Sequence, residues 1–442
     1  MSSKLQVEIK KFRAVESANI NIDGITLVAG ENGSGKSTIS KILYYLFKTV
    51  RNFEELVVRD LNRKLNNIYN FFNYYMDDVL FDFDRQVDKD NFENFMQLRN
   101  LFQELFIFKS VEESKKKWDI FLNEFKRMSS KILSLQSNDE NFSRMENWYS
   151  RRIERIAKDM FAKDFNLQNQ ESFFVEIEKR IDIYFKEAEN QIEARPTSLF
   201  VQRLKEIFGK EDLPDLFKVT EFDDLIFSID EKNFSIPYNI ENSIYIDTPM
   251  MFSINRTRVE HWDDLNTNLR SLNPTPNSIS HEISEILSGD VEYEETILKN
   301  EFRYKRNDEQ IFNLLDVATG IKSFSILQLL LKNGFINNKT LLIIDEPESN
   351  LHPQWIIEYA RIIVMLNKNL GVNFFLTSHN PDMVSAIRYI SEKNGILDNV
   401  NFYLAKKVEN SFMYEYLYLG SEIDPIFESF NIALDRINEY GI

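Results

Sequence analysis

The feature that most constrains this chain is a run of residues, Ile25-Thr26-Leu27-Val28-Ala29, that leads straight into Gly30-Glu31-Asn32-Gly33-Ser34-Gly35-Lys36-Ser37. The apolar run, with Asp23-Gly24 before it and glycines after it, reads as a buried strand. From Ser37 onward, Ile39, Ile42, Leu43, Leu46 and Phe47 recur at helical spacing. A strand, a glycine-rich turn and a helix in this order gather backbone amides around one point. The amides of a helix's first turn lack intrahelical partners and sit at the positive end of its dipole. Such a place suits a phosphate. The spacing Gly30-x-x-x-x-Gly35-Lys36-Ser37 is the Walker A pattern in the context it requires. Lys36 is expected to reach the β- and γ-phosphates of ATP, and the Ser37 hydroxyl to ligate Mg²⁺, with Thr38 entering the helix beside them.

A second strand, Leu341-Leu342-Ile343-Ile344, ends in Asp345-Glu346 and reads as the matching Walker B segment. Asp345 is expected to hold the magnesium shell. Glu346 is positioned to polarise the attacking water as general base. The strand from Val372 to Leu376 is followed by Thr377-Ser378-His379, and the intervening helix carries Ile356, Tyr359, Ala360, Ile363 and Met365. Strands apolar on both faces belong in a parallel sheet covered by helices. Ligands bind at the carboxyl edge of such sheets, so His379 is a candidate to contact the γ-phosphate. His261 and His281 have no such setting and read as structural. His281-Glu282-Ile283-Ser284-Glu285 lacks the second histidine of a metalloprotease helix.

Between Gly35 and Pro196 there is neither glycine nor proline, the strongest interrupters of regular structure. Phe174, Ile177, Ile181, Phe185, Ala188 and Ile192 recur there at helical steps. Residues 51–239 are therefore expected to form an all-helical insertion packed by Phe and Tyr stripes. The head would then consist of residues 1–50 and 240–442. Its first part alternates as strands do at Leu5, Val7 and Ile9 and again over Asn19–Ile22, with a turn at Asp23-Gly24. Ser243–Ile246 is a further strand, and residues 291–315 alternate as an antiparallel layer. The expected class is α/β, a mixed sheet with an antiparallel β lobe interrupted by helices.

A net charge of -17 argues against a surface that grips nucleic acid generally. Lys115-Lys116-Lys117 and Arg151-Arg152 are interleaved with acidic residues and read as solvated faces. The chain has no cysteine, which removes disulfides and zinc–thiolate sites and fits a reducing compartment. The amino terminus lacks a signal-peptide core. Ile326–Leu331, the most apolar stretch, is broken by Lys332 and Asn333, far short of the ~20 residues that cross a bilayer. A soluble, cytoplasmic protein without a membrane partner is expected.

Together these residues resemble the ABC-type ATPase head of the SMC/RecF/OLD class. The resemblance is carried by Phe12-Arg13, the Asn-Gly-Ser-Gly form of the loop at 32–35, Asp345-Glu346-Pro347-Glu348 and His379. It implies two heads that dimerise face to face, each ATP lying between one P-loop and the signature turn of the other head. It implies that Val317-Ala318-Thr319-Gly320 is that turn, that Ser349-Asn350-Leu351-His352 crosses the dimer seam, and that Arg13 reaches the phosphates. The chain departs from the class in carrying Ala318 where a serine is usual, with Thr319 as a substitute hydroxyl. The glutamine loop has no clear counterpart, and Gln86 matches by order alone. Lack of cysteine excludes a zinc-hook apex. No Toprim domain is expected after His379, where few residues follow and no glutamate-plus-Asp-x-Asp cluster stands. The compact insertion and Ile244-Tyr245-Ile246-Asp247-Thr248-Pro249 look most like bacterial anti-phage ATPases of the Septu and PARIS type. That resemblance implies a homodimer or higher oligomer, a separate effector nuclease as partner, and a nucleic acid or phage component as trigger. A RecF-like repair ATPase that binds DNA directly and a structural ATP-binding module with negligible turnover are the alternatives.

Overall fold

The computed structural model describes residues 5–75, 89–107, 110–136, 170–210, 212–247, 259–270, 278–295, 300–428 and 439–440. The chain divides into two compact units, one of residues 1–51 with 200–442 and one of residues 52–199.

The first unit opens with β1 (Leu5–Phe12), β2 (Val15–Ile22), β3 (Ile25–Gly30) and helix α1 (Lys36–Arg51). After the second unit, β4 (Leu216–Glu221), β5 (Asp224–Ser228) and β6 (Asn242–Ile246) follow, then β10 (Thr340–Asp345), β11 (Asn373–Ser378), β12 (Val400–Lys407) and β13 (Tyr414–Gly420). These ten strands form one sheet in the order β5-β4-β1-β2-β13-β12-β3-β11-β10-β6. The segment β12-β3-β11-β10-β6 is parallel throughout, whereas β1 pairs antiparallel with β2 and β4. The sequence pattern explains the split. Every residue of β3 and β10 is buried, as strands covered on both faces must be. In β1 buried Leu5, Val7 and Ile9 alternate with half-buried residues, as in a sheet covered on one face.

A smaller antiparallel sheet is made by β7 (Gly289–Glu295), β8 (Asn300–Arg306) and β9 (Ile311–Asn313), where the alternation at 291–315 predicts one. Helices α7 (Glu260–Leu269), α8 (Ser278–Leu287), α9 (Thr319–Lys332), α10 (Pro353–Leu370) and α11 (Pro381–Lys393) complete the unit. Their apolar faces join β3, β6, β10 and β11 in one continuous core. Helix α10 begins with Pro353, whose fixed φ suits the first helical position, and ends at Gly371 with φ 67°.

The second unit contains α2 (Phe53–Tyr75), α3 (Lys89–Gln103), α4 (Val111–Gln136) and α5 (Gln170–Ala194). Its core is aromatic: Phe72 meets Phe121 at 5.1 Å and Phe125 at 4.8 Å, and Tyr69 stacks on Phe102 at 4.0 Å. Lys115, Lys116 and Lys117 pair with Glu189, Glu112 and Glu104, as a solvated face would. Gln86, Arg151 and Arg152 lie outside the described residues.

The far boundary of the insertion differs from the sequence expectation. The helical unit ends at Leu199, inside α6 (Thr197–Phe208), and residues 200–239 belong to the sheet-bearing unit. Strand β4 pairs with β1 from Leu5↔Glu221 to Lys10↔Leu216, which buries Phe217 and Val219. Those two residues alternate with polar ones over too short a span to reveal a distant pairing partner.

Candidate ATP site

The Gly30–Ser37 loop leaves the carboxyl end of β3 and enters α1. Gly33 and Gly35 have φ of 82° and 91°, values that favour glycine. A Cβ on Gly35 would lie 2.8 Å from Val15 Cγ2, and one on Gly30 would lie 2.8 Å from the Ala405 Cβ. The loop is thus closed underneath by β2 and β12, and Tyr416 donates to the Ser34 carbonyl at 3.0 Å. Glu31, Asn32, Gly33 and Ser37 face solvent, with Thr38 half-buried behind them.

Lys36 is buried, and its Nζ donates to the carbonyls of Gly30 at 2.7 Å and Glu31 at 2.8 Å. Burial holds its pKa below the ordinary lysine value, against the pull of Glu346, Asp345, Glu348 and Glu31. One cation among four carboxylates makes this place acidic on balance. A polyphosphate entering it needs a divalent counter-ion as well as the lysine.

The donor chemistry fits magnesium. Ser37 offers an exposed hydroxyl on the first turn of α1, and Asp345 ends the Walker B strand. Both are oxygen donors, as a small hard cation requires. Among the described residues no group of three or more His, Asp or Glu side chains is arranged to hold a metal without help. ATP and Mg²⁺ would supply the phosphoryl electrophile and its charge neutralisation.

Asp345 is oriented by three hydroxyls. Ser40 and Thr377 donate to Oδ1, the latter at 2.9 Å, and Tyr245 donates to Oδ2 at 2.7 Å. A carboxylate has about four acceptor positions, so most of its capacity is committed to the protein. The three donors come from α1, β11 and β6, which converge because β10 lies between β11 and β6 and beside α1. Burial, together with Asp345, pushes the Tyr245 hydroxyl well above its ordinary pKa, so it remains a donor.

Glu346 has φ of 49°, a conformation that costs a non-glycine residue of order 1–3 kcal/mol. Its amide donates to Thr377 O at 2.9 Å, which ties the turn after β10 to β11. Its Oε1 lies 3.2 Å from His379 Nδ1, and its Oε2 accepts from Ser349 at 3.2 Å. Glu348 is nearby and buried. Its Oε1 accepts from Ser378 Oγ at 2.7 Å and from the His379 amide at 3.1 Å. Burial raises the Glu348 carboxyl above its ordinary range, against the opposing effect of these bonds.

The structure therefore gathers Lys36, Asp345, Glu346, Ser349 and His379. It does not bring Arg13 with them. Arg13, at φ 56°, bonds Asp212 and the Phe208 carbonyl and stacks over the Phe208 ring at 5.0 Å. Its neighbours Ala14 and Val15 lie against Gly35, so a phosphate contact would require Arg13 to leave Asp212. Ala318 caps α9 without a side-chain bond, and Thr319 and Gly320 open that helix. A Cβ on Gly320 would lie 2.8 Å from the Trp355 ring and 3.4 Å from Leu351 Cδ2. Thus the Thr319–Gly320 turn packs on the segment after Ser349-Asn350. Asn350 has φ of 63°, and His352 caps α10 by accepting from Gln354 N at 3.4 Å.

Sequence reasoning missed Ser40, Tyr245, Thr377 and Glu348. Glu348 has a signal, its place within Asp-Glu-Pro-Glu, whereas no local pattern marks Ser40, Tyr245 or Thr377 as partners of Asp345. His261 is buried against Tyr245 and bonds Asp247 at 2.9 Å, a structural role.

A family profile described as "AAA domain, putative AbiEii toxin, Type IV TA system" matches residues 25–385. No curated protein matches the chain. Among solved structures, the Smc head domain bound to the C-terminal domain of ScpA from Pyrococcus furiosus is 10% identical, with 98% of each chain covered and a TM-score of 0.34. The SMC head domain from Thermotoga maritima is 10% identical, covering 94% of this chain and 98% of that one, at a TM-score of 0.36. The cbiO1 component of an ABC transporter from Clostridium perfringens is 12% identical, covering 54% and 81%, at a TM-score of 0.25. With a P-loop between β3 and α1 and an acidic strand end two strands away, the chain belongs to the AAA-domain family of that description and is a P-loop ATPase in type.

Proposed function

We propose that this protein hydrolyses ATP with Mg²⁺ and uses the reaction as a switch between a closed and an open homodimer. The observation that carries the reading is the Glu346–His379 contact of 3.2 Å, next to an Asp345 locked by three hydroxyls. A carboxylate beside a histidine at the sheet edge can orient a water against the γ-phosphate and register the loss of that group. Lys36 and the loop amides would hold the β- and γ-phosphates, and Ser37 and Asp345 the magnesium shell.

The dimer reading draws on the exposed loop, with Thr319-Gly320 of a second copy completing each site and Ser349, Asn350 and His352 at the seam. The family description names an AbiEii toxin of type IV toxin–antitoxin systems. Carried to this chain, it supports a bacterial conflict role, in which an anti-phage ATPase controls a separate effector nuclease in the cytoplasm.

Phosphate release from ATP by purified protein, with Lys36→Ala as control, tests turnover. Glu346→Gln is expected to lower release by about 10²-fold or more, the range for losing a general base, while still binding ATP. That variant should sediment as a dimer with ATP and as a monomer with ADP. A Glu346→Gln protein that stays monomeric with ATP sinks the switch reading. Release no faster than in Lys36→Ala leaves only a structural ATP module.

A further inference from the structure

Glu348 has no part in the chemistry assigned above, yet it is nearly inaccessible, with its side chain 3% exposed. Its Oε2 is buried with no hydrogen-bond partner among the described residues. A buried carboxylate with an unsatisfied oxygen costs stability, and an apolar residue would avoid that cost. Departures of this kind gather at functional positions.

Its contacts face two ways. The side chain receives Ser378 Oγ and the His379 amide, so it fixes the corner that carries His379. Its backbone carbonyl accepts the Leu351 amide at 3.0 Å, which shapes the turn into α10. Leu351 and Trp355 then close on Gly320, where no Cβ fits, and the Trp355 ring meets Phe324 edge-on at 5.4 Å. A chain of direct contacts therefore runs from the His379 corner through Glu348 to the first turn of α9.

We infer that Glu348 is a positioning residue that couples the His379 corner of the ATP site to the Thr319–Gly320 opening of α9. A shift of His379 when the γ-phosphate is present or lost is carried by the Glu348 carboxylate to Leu351 and Trp355. These in turn reset the packing on buried Gly320, and with it the surface that Ala318 and Thr319 offer to a second copy. The inference rests on the ATP reading proposed above and adds the route by which one chain reports its nucleotide.

Hydrogen exchange on the full chain, with and without ATP and Mg²⁺, tests it. In the unaltered protein, ATP should slow exchange in segments 30–40, 377–380 and 319–323 together. In Glu348→Ala the first two should still respond, while 319–323 should not. Glu348→Gln, whose amide oxygen can accept the same two bonds, should restore the response. Should Glu348→Ala fail to fold, Ser378→Ala removes one of the two bonds and should weaken the 319–323 response alone. An undiminished 319–323 response in these variants overturns the coupling while leaving the ATP reading intact. A 30–40 segment indifferent to ATP in the unaltered protein overturns the ATP reading, and the coupling falls with it.

Discussion

Asp345 is the residue on which most of the site converges, and its orientation is a tertiary product. Removing the Tyr245 hydroxyl frees Oδ2 of its donor, and a buried hydrogen bond to a charged group contributes about 1.5–3 kcal/mol. Tyr245→Phe is expected to lower stability by roughly that amount and to lower phosphate release more than ATP binding. Denaturant melts and steady-state kinetics check the two parts separately. Gly35 is constrained twice, by φ of 91° and by Val15 at 2.8 Å from any added Cβ. Gly35→Ala must distort the loop, so ATP binding measured by calorimetry should be abolished while the circular dichroism spectrum remains unchanged.

At the scale of elements, helix α2 shows how charge and burial compete. Burial pushes the Asp60 carboxyl up, but bonds from Arg63 and Lys64 outweigh it and leave the pKa below the ordinary value. The folded state thus favours the charged form, and its contribution to stability is present above the unfolded pKa of about 4. It is lost as pH falls through the lower folded value. Asp60→Asn should therefore lower the melting temperature at neutral pH, with the gap to the unaltered protein closing in acid below about pH 4. A gap that persists unchanged in acid contradicts the charge argument. On α9, packing rather than charge decides. Gly320→Ala must displace the Trp355 ring, an overpacking that costs typically 1–3 kcal/mol. Tryptophan fluorescence should report it, with the ATP-dependent dimer weakened in sedimentation.

At the scale of the whole molecule, the chain separates into a sheet-bearing unit and a helical one with its own aromatic core. A unit with its own core can fold alone, so residues 52–199 expressed by themselves should give a helical spectrum and a cooperative melt. A flat, non-cooperative transition would show that the boundary misrepresents the folding units. Among the described residues, no helix is long and apolar enough to cross a membrane.

The parts whose chemistry needs neighbouring residues are legible in the chain as a string. A phosphate loop must be contiguous, so Gly30 to Ser37 is legible as a string. A strand buried on both faces must be apolar throughout, so β3 and β10 stand out, and the acid ending β10 is fixed with them. The long stretch without glycine or proline marked the helices for the same local reason. Features that depend on pairing between distant segments emerge only on folding. Strand β4 joins β1 across some two hundred residues, and no short-range pattern records that register, so the insertion ends at 199 instead of 239. Ser40, Tyr245 and Thr377 meet at Asp345 because three strands and a helix are stacked in one order. Arg13 is drawn to Asp212, and Glu348 is buried between two loops. Each outcome follows from which surfaces come together, and that is settled by the core as a whole.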